Sequence, residues 1–202
     1  MATPANIDHV FAIVLAAGSA SRFGASKQTA AWNGGTLVER ASQLASSRCG
    51  SRTILVTGHD WHAVRRACAP LPGAFVVNED YAAGMGSSLA LAVKCIRHAA
   101  SAVLVLLADQ PLVTTEHLSA LIAAWSGDRN EIVASAYAET QGAPALFAAG
   151  CFDDLCKLSG DQGAREVLRN PAYNVRSIQF EDAAADVDTT ADLKRIARSA
   201  RS

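Results

Sequence analysis

The sequence lacks most of the features that would settle its class at once. It has almost no net charge, −1 from 18 Lys+Arg and 19 Asp+Glu. Nucleic-acid-binding domains are usually basic, so nothing electrostatic points to such a partner. Any anionic ligand must be held by a local patch. No apolar run approaches the length of a membrane span, so no membrane partner is expected. Residues 10–17 have the apolar character of a signal core, but the segment before them has no Lys or Arg and contains Asp8. That speaks against a secretory signal. The five cysteines, Cys49, Cys68, Cys95, Cys151 and Cys156, are odd in number and scattered. They form no Cys-x-x-Cys pair, and no His stands at zinc-ligand spacing from a cysteine pair. Reduced, mostly buried thiols in a cytoplasmic protein are expected. Internal repeats, linkers and low-complexity tracts are also missing. With 202 residues, half of them hydrophobic, the expectation is one domain over residues 1–202 with a sizeable core.

What is present is concentrated first in residues 11–28. An apolar run, Val10-Phe11-Ala12-Ile13-Val14-Leu15, reads as a buried strand. It feeds a loop of small residues with two glycines, Gly18 and Gly24, and two cations, Arg22 and Lys27. Exposed amides and cations after a strand make an anion cradle at the carboxyl edge of an α/β sheet. Two familiar phosphate loops are excluded. Five residues separate Gly18 from Gly24, and Lys27 follows three later, which is not P-loop spacing. Ser19 and Ala20 after Gly18 break the dinucleotide fingerprint.

Taken in order, the chain alternates strand and helix. Thr36-x-x-Glu39 is a capping box that opens a helix to about Arg48. Residues 52–57 form the next strand, Asp60 caps a short helix through Cys68, and 74–77 form a third strand. A helix follows over 87–99 with Ser87 as its cap. Val103-Leu104-Val105-Leu106-Leu107 reads as a central buried strand. Thr114 caps a helix to Trp125. Such alternation implies a parallel sheet wrapped by helices. The second half is less regular: strands at 131–137 and 144–147 leave no room for a helix between them and should pair antiparallel. Short helices follow at 151–158 and 161–169, the second capped by Asp161. A last strand spans 174–179, and Thr189-x-x-Asp192 opens a closing helix to about Arg198.

Further motifs lie where these elements end. Asp109-Gln110-Pro111 places a carboxylate at the tip of the central strand, facing the same crevice as the first loop. It reads equally as a turn cap or as a Mg²⁺ ligand beside phosphates. Alternation puts Asp186 and Asp188 on one side of an extended segment. Gly84-x-Gly86 between strand and helix is a weak dinucleotide signal, because Leu89 occupies the third glycine position. His9, His59, His62, His98 and His117 are dispersed and read as surface residues. Trp32, Trp61 and Trp125 read as packing.

These pieces together resemble a known family. Leu15-Ala16-Ala17-Gly18-x3-Arg22-Phe23-Gly24-x2-Lys27 looks like the signature loop of the MobA-like nucleotidyltransferases. The nearest branch is the molybdenum-cofactor cytidylyltransferases, which attach a nucleotide to molybdopterin. The resemblance implies that Leu15, Ala16, Ala17, Gly18, Arg22 and Lys27 bind the nucleotide, with Arg22 and Lys27 on its triphosphate. Asp109-Gln110-Pro111 is similar to the family's metal-binding Asp motif. It implies Mg²⁺ on Asp109, and a catalytic set of Arg22, Lys27 and Asp109. Asp186-Val187-Asp188-Thr189-Thr190-x-Asp192 is similar to a carboxy-terminal element that supplies a second metal contact, here assigned to Asp188 as nearer the helix start. Thr190 stands where the family usually has Pro. Gly84-Met85-Gly86-Ser87-Ser88-Leu89 resembles the base-contacting loop, implying that Gly84, Gly86, Ser87 and Ser88 bind nucleotide. Ser159-Gly160-Asp161-x-Gly163-Ala164-Arg165 resembles an acceptor-side element, which with Gly142 assigns Gly142, Asp161 and Arg165 to the acceptor. Ala143 departs from the family's Gly-His-Pro. Ala-Ala-Gly in the first loop goes with cytidylyl transfer, where guanylyl-transferring relatives usually carry Ala-Gly-Gly.

The motifs run from Leu15 to Leu193 in the family's order. They imply an α/β, doubly wound, three-layer α/β/α Rossmann-like domain with a mixed, mainly parallel sheet, the nucleotide-diphospho-sugar transferase fold. They imply transfer of NMP from an NTP, CTP preferred, to a molybdopterin-type phosphate acceptor, with release of pyrophosphate. A molybdoenzyme would be the receiver of the finished cofactor. A guanylyltransferase using GTP and a sugar-phosphate nucleotidyltransferase remain alternatives. So does a non-catalytic nucleotide-binding accessory protein, against which the intact Lys27 and Asp109 argue.

Overall fold

A computed structural model describes residues 9–18, 27–70, 73–161 and 163–199. Arg22 lies outside these residues. The elements, in chain order, begin with β1 (Val10–Ala16), the short β2 (Ala31–Trp32) and β3 (Gly35–Thr36), and α1 (Leu37–Cys49). Next come β4 (Thr53–Thr57), α2 (Trp61–Ala67), β5 (Ala74–Val77), α3 (Met85–Ile96), β6 (Ala102–Leu107) and α4 (Thr115–Ala124). The second half contains β7 (Glu131–Tyr137), β8 (Thr140–Ala148), α5 (Phe152–Leu155), α6 (Arg165–Leu168), β9 (Asn174–Gln179) and α7 (Thr190–Ser199).

Seven strands form one sheet in the order β5-β4-β1-β6-β8-β7-β9. All pairings are parallel except those of β8, which runs against both β6 and β7. Successive residues of β1 go to opposite faces, as the pleat requires. Ala12, Val14 and Ala16 join the core under α1, α2 and α4, whereas Ile13 and Leu15 join that under α3, α5 and α6. Both faces of the central strands are therefore buried, which is why β1 and β6 read as unbroken apolar runs. The arrangement is the doubly wound three-layer fold with the mixed, mainly parallel sheet that was expected.

The Thr36–Glu39 capping box forms as read, with both reciprocal bonds at 3.2 Å. Asp192 closes an equivalent box with Thr189, accepting from its N–H at 3.0 Å. Four expectations are corrected. Asp60 occupies the cap position of α2 but its side chain makes no capping bond. α3 starts at Met85 behind Gly84, so Ser87 lies in its first turn and is not the cap. Asp161 does not cap a helix either, since α6 begins only at Arg165 behind Ala164. The strand expected at 144–147 starts earlier, at Thr140, because Ala138 and Glu139 close the β7–β8 hairpin alone, with φ of 45° and 58°. Both being left-handed is what a two-residue turn matched to strand twist needs.

His117 is also corrected. It is buried in α4, stacked on Phe180 at 3.9 Å. Its Nε2 lies 2.7 Å from Ser135 Oγ, which donates to Pro144 O at 2.6 Å. The Ser135 proton is thus committed, so His117 Nε2 is the donor. The lone helix histidine gave no hint of this partner, which sits on β7. Three of the five cysteines, Cys49, Cys68 and Cys151, are buried, and all are free thiols.

Candidate active site

β1 and β6 are adjacent and parallel, so their carboxyl ends open on one edge. Two cavities meet there. One, of about 400 Å³, is lined by Ala17, Gly18, Lys27, Gly84, Ser88 and Asp109, among others. The other, of about 240 Å³, is lined by Asp109, Gly142, Arg165, Asp186 and Asp188, among others. Leu15, Met85, Asp109 and Asp161 contribute to both. The larger cavity has the size and polarity of a small-ligand site.

A charge cluster stands at the junction. Lys27 Nζ reaches Asp109 Oδ2 at 2.7 Å and Asp188 Oδ1 at 2.9 Å. Burial alone would push the Lys27 pKa down, but the charges and hydrogen bonds of Asp109 and Asp188 outweigh it and raise it above the ordinary lysine value. Asp186 is pushed up to about 6, first by burial and then by the charge of Asp109. The outer oxygens Asp109 Oδ1 and Asp186 Oδ1 are buried without a hydrogen-bond partner. Buried carboxylate oxygens without a partner, on residues that line one cavity, are a fit for a hard cation. Among the described residues no three His, Cys, Asp or Glu side chains form a ready metal site. A divalent ion held by one or two carboxylates completes its shell with water and phosphate oxygens.

The turn that carries Asp109 is held from three sides. Arg40 on α1 donates from Nε to Pro111 O at 2.6 Å and from Nη2 to Val113 O at 3.0 Å. Gln110 Nε2 donates to Ala183 O at 2.8 Å and to Ala143 O at 3.2 Å. The Val187 N–H donates to Asp109 O at 3.0 Å, which fixes Asp186 and Asp188 on the cavity side. None of Arg40, Gln110 or this backbone contact was apparent beforehand. Only the tether of Gln110 had a local signal, its place inside the Asp-Gln-Pro motif.

The loop before α3 is organised by Asn78, a residue to which the sequence assigned no role. Its buried Nδ2 donates to Ser87 Oγ and Ser88 Oγ, each at 2.9 Å, and its Oδ1 accepts from the Asp80 N–H at 3.1 Å. Ser88 lines the larger cavity, but Ser87 does not. The Ser87 hydroxyl, with one proton, lies 2.8 Å from Gly84 O and 3.1 Å from Asp80 O. Its bonds are internal to the loop. The two glycines have a packing reason. Gly86 N–H donates to Gly160 O at 2.9 Å, and Gly160 N–H donates to Ala83 O at 2.8 Å. A Cβ on Gly86 would meet the Ser159 backbone at 2.8–2.9 Å, and one on Gly84 would strike Gly160. Gly84 also has φ of 97°. Gly84 lines the cavity while Gly86 does not, so the close approach that Gly86 permits is to another loop. Ala16 likewise ends β1 in the core and lines neither cavity, in contrast to Leu15, Ala17 and Gly18. Gln28, also unmarked beforehand, donates from Nε2 to Gly18 O at 2.8 Å and shapes the cavity floor.

Gly142, Asp161 and Arg165 come together around the smaller cavity, with Asp161 reaching into both. Gly142 faces the Tyr137 hydroxyl so closely that a Cβ there would collide with it. Burial and the charge of Asp186 raise the Tyr137 pKa, while the nearby Arg165 and Gln110 side chains moderate the rise.

Over 198 residues the chain is 31% identical to the nicotine blue oxidoreductase of Paenarthrobacter nicotinovorans, covering 93% of this chain and 96% of that protein. It is 25% identical over 182 residues to the molybdenum cofactor cytidylyltransferase of Escherichia coli (strain K12), covering 90% and 92%. The crystal structure of Rv0371c from Mycobacterium tuberculosis H37Rv in complex with manganese superposes with a TM-score of 0.79 at 28% identity, covering 95% of this chain and 99% of that one. The MobA-like NTP transferase domain matches residues 12–177, well over half of the chain, and the protein belongs to that family of nucleotidyltransferases.

Proposed function

We propose that the protein transfers a cytidylyl group from CTP to a molybdopterin-type phosphate monoester, releasing pyrophosphate. The observation that carries this is the Lys27–Asp109–Asp188 cluster at the junction of two cavities, one of nucleotide size and one facing Arg165. The larger cavity takes the nucleotide, with its phosphates toward Gly18 and Lys27 and its base toward Gly84 and Ser88. The smaller takes the acceptor, whose phosphate Arg165 holds. An acceptor phosphate oxygen attacks the α-phosphorus of CTP as the bond to the β-phosphate breaks, and the electron pair leaves on pyrophosphate. A phosphate monoester is already anionic at neutral pH, so no Ser or Cys nucleophile is needed. Catalysis rests on in-line positioning and charge stabilisation. Lys27 neutralises the phosphates together with Arg22.

Asp109, with Asp188 or the orphaned Asp186, would hold Mg²⁺, which supplies Lewis-acid polarisation of the phosphate oxygens when bound. The manganese complex of the mycobacterial relative supports a divalent ion here. The molybdenum cofactor cytidylyltransferase of Escherichia coli supports the acceptor and the nucleotide. A second reading, redox chemistry, comes from the name of the 31% identical relative. Against it stands the seam at Gly84 and Gly86, which is filled by residues 159–160 and offers no dinucleotide loop. A cytoplasmic location follows from the substrates proposed.

The test is pyrophosphate release from CTP, GTP, ATP and UTP, with and without molybdopterin, in wild type and Asp109→Asn. Release with CTP and molybdopterin, reduced at least ~100-fold in Asp109→Asn, is the expected result. No release with any of the four NTPs, together with consumption of a reduced nicotinamide, would replace this reading with the redox one.

A further inference from the structure

A third concavity, of about 430 Å³, adjoins the acceptor cavity between the β7–β8 hairpin and α6. The two share Tyr137, Arg165 and Leu168. Arg169 lines the outer groove but not the acceptor cavity. It continues the helical turn of α6 with φ of −91° and ψ of −6°, four residues after Arg165. That spacing puts both guanidinium groups on one face. Among the described residues neither forms an ion pair, whereas Arg97, Arg176 and Arg195 each pair with a carboxylate. The groove floor carries Gln141 and Gln179, whose residues both pair with Ala136 across the sheet and so share a face. Among the described lining residues Glu139, at the hairpin turn, is the one acid beside the two arginines, and the Glu181 carboxylate stands next to the groove, accepting from the Ala138 N–H and from Gln179 Nε2.

We propose that this groove is an anion subsite continuous with the acceptor cavity. It takes the far end of an elongated acceptor that carries a second anionic group remote from the reacting phosphate. Arg165 stands at the neck between the compartments, and Arg169 reads the distal group by charge-assisted, bidentate hydrogen bonds. Gln141 Nε2 donates to Ser177 Oγ and Gln179 Nε2 to Glu181 Oε1, which leaves one N–H on each amide for the distal group, and Tyr137 lines both compartments. The proposal rests on the assignment of the smaller cavity to the acceptor. It adds a requirement on acceptor length and charge that the reacting phosphate does not impose.

The experiment uses the full chain, labelled with ¹⁵N, and a series of α,ω-alkanediol bisphosphates of increasing length against the matching monophosphates. Affinity is measured by calorimetry, and the Arg Nε–H resonances are followed by NMR. Some length of bisphosphate should bind about fivefold to tenfold tighter than its monophosphate. It should move the Arg165 and Arg169 resonances with one midpoint. Arg169→Ala should abolish the difference between the two ligands, and Arg169→Glu should reverse it. Equal affinities at every length would overturn the proposal. So would movement of Arg169 without Arg165, or an advantage that survives in Arg169→Ala. Pyrophosphate release is measured separately, so a failure of the transferase reading and a failure of the subsite give different results.

Discussion

Replacing Lys27 by Met should have opposite effects on metal binding and on catalysis. Its ammonium bridges Asp109 and Asp188 at 2.7 and 2.9 Å, so it occupies the place between the carboxylates proposed for the metal. A unit-charge pair near contact attracts by about 4 kcal/mol in a partly solvated site, before the cost of stripping water from both groups. Hydrogen bonds to charged groups leave a net of about 1–2 kcal/mol for the sheltered Lys27–Asp109 pair. Asp188, whose side chain is 66% exposed, adds little to that. A divalent ion binding to the nucleotide-free protein must displace this contact. Lys27→Met should therefore bind Mn²⁺ about 5–30-fold tighter in the absence of nucleotide, as 1–2 kcal/mol dictates. In turnover the ammonium is released to the phosphates, and its loss should lower kcat/KM by about 2–4 kcal/mol, or roughly 30–1000-fold. Free Mn²⁺ followed by electron spin resonance gives the first quantity and pyrophosphate release the second. Mn²⁺ affinity that is unchanged or weaker in the variant would refute the reasoning, whatever the activity.

Three further outcomes are expected. Arg40→Lys replaces a fork on two carbonyls by a single ammonium, so it should cost about 1–2 kcal/mol and lower Tm by roughly 2–8 °C. A Tm within 1 °C of wild type would show that the Asp109 turn does not depend on the fork. Burial lowers the His117 pKa from 6.5 to about 4. The unfolded chain therefore holds more protons between these values, and stability should fall by up to ~3 kcal/mol as pH drops through that window. Denaturant midpoints at pH 7.5 and 4.5 should differ less in His117→Gln than in wild type, and an equal difference would exclude this histidine. Ala17 is buried and lines the larger cavity. Ala17→Gly should narrow a preference for CTP over GTP by only ~1–3 kcal/mol, read as the ratio of kcat/KM values. A wild-type enzyme faster with GTP would overturn the base assignment and leave the transferase reading standing.

The strands and the first capping box were legible because their signals are local. Apolar runs mark β1 and β6, and Thr36 reports its partner Glu39 three residues away. Asp109 was legible for the same reason, sitting where an apolar strand stops before a proline. The supporting residues were not. Arg40 acts 71 residues from Pro111, and Gln110 acts 73 residues from Ala183, so no window on the sequence contains both ends. Asn78 heads the same motif as its two serine partners, but nothing in the pattern says that its amide ties them together. Gly84 and Gly86 announced that something approaches the backbone closely but not what. The sequence pattern read a ligand, and for Gly86 the neighbour is Ser159. His117 was misread because its burial comes from β7 and Phe180, not from its own helix.

The seam between residues 83–86 and 159–160 has a consequence for anyone who would re-engineer this scaffold. Two backbone hydrogen bonds, Gly86 N–H to Gly160 O and Gly160 N–H to Ala83 O, splice the loop proposed for the nucleotide to the loop proposed for the acceptor. The loops are thus one module spread over two stretches of chain. Grafting only residues 158–165 from another transferase, in order to swap acceptors, would import a partner with the wrong backbone course for the resident 83–86 segment. The chimera would lose nucleotide affinity along with its old acceptor. Transplants that carry both stretches together should retain it.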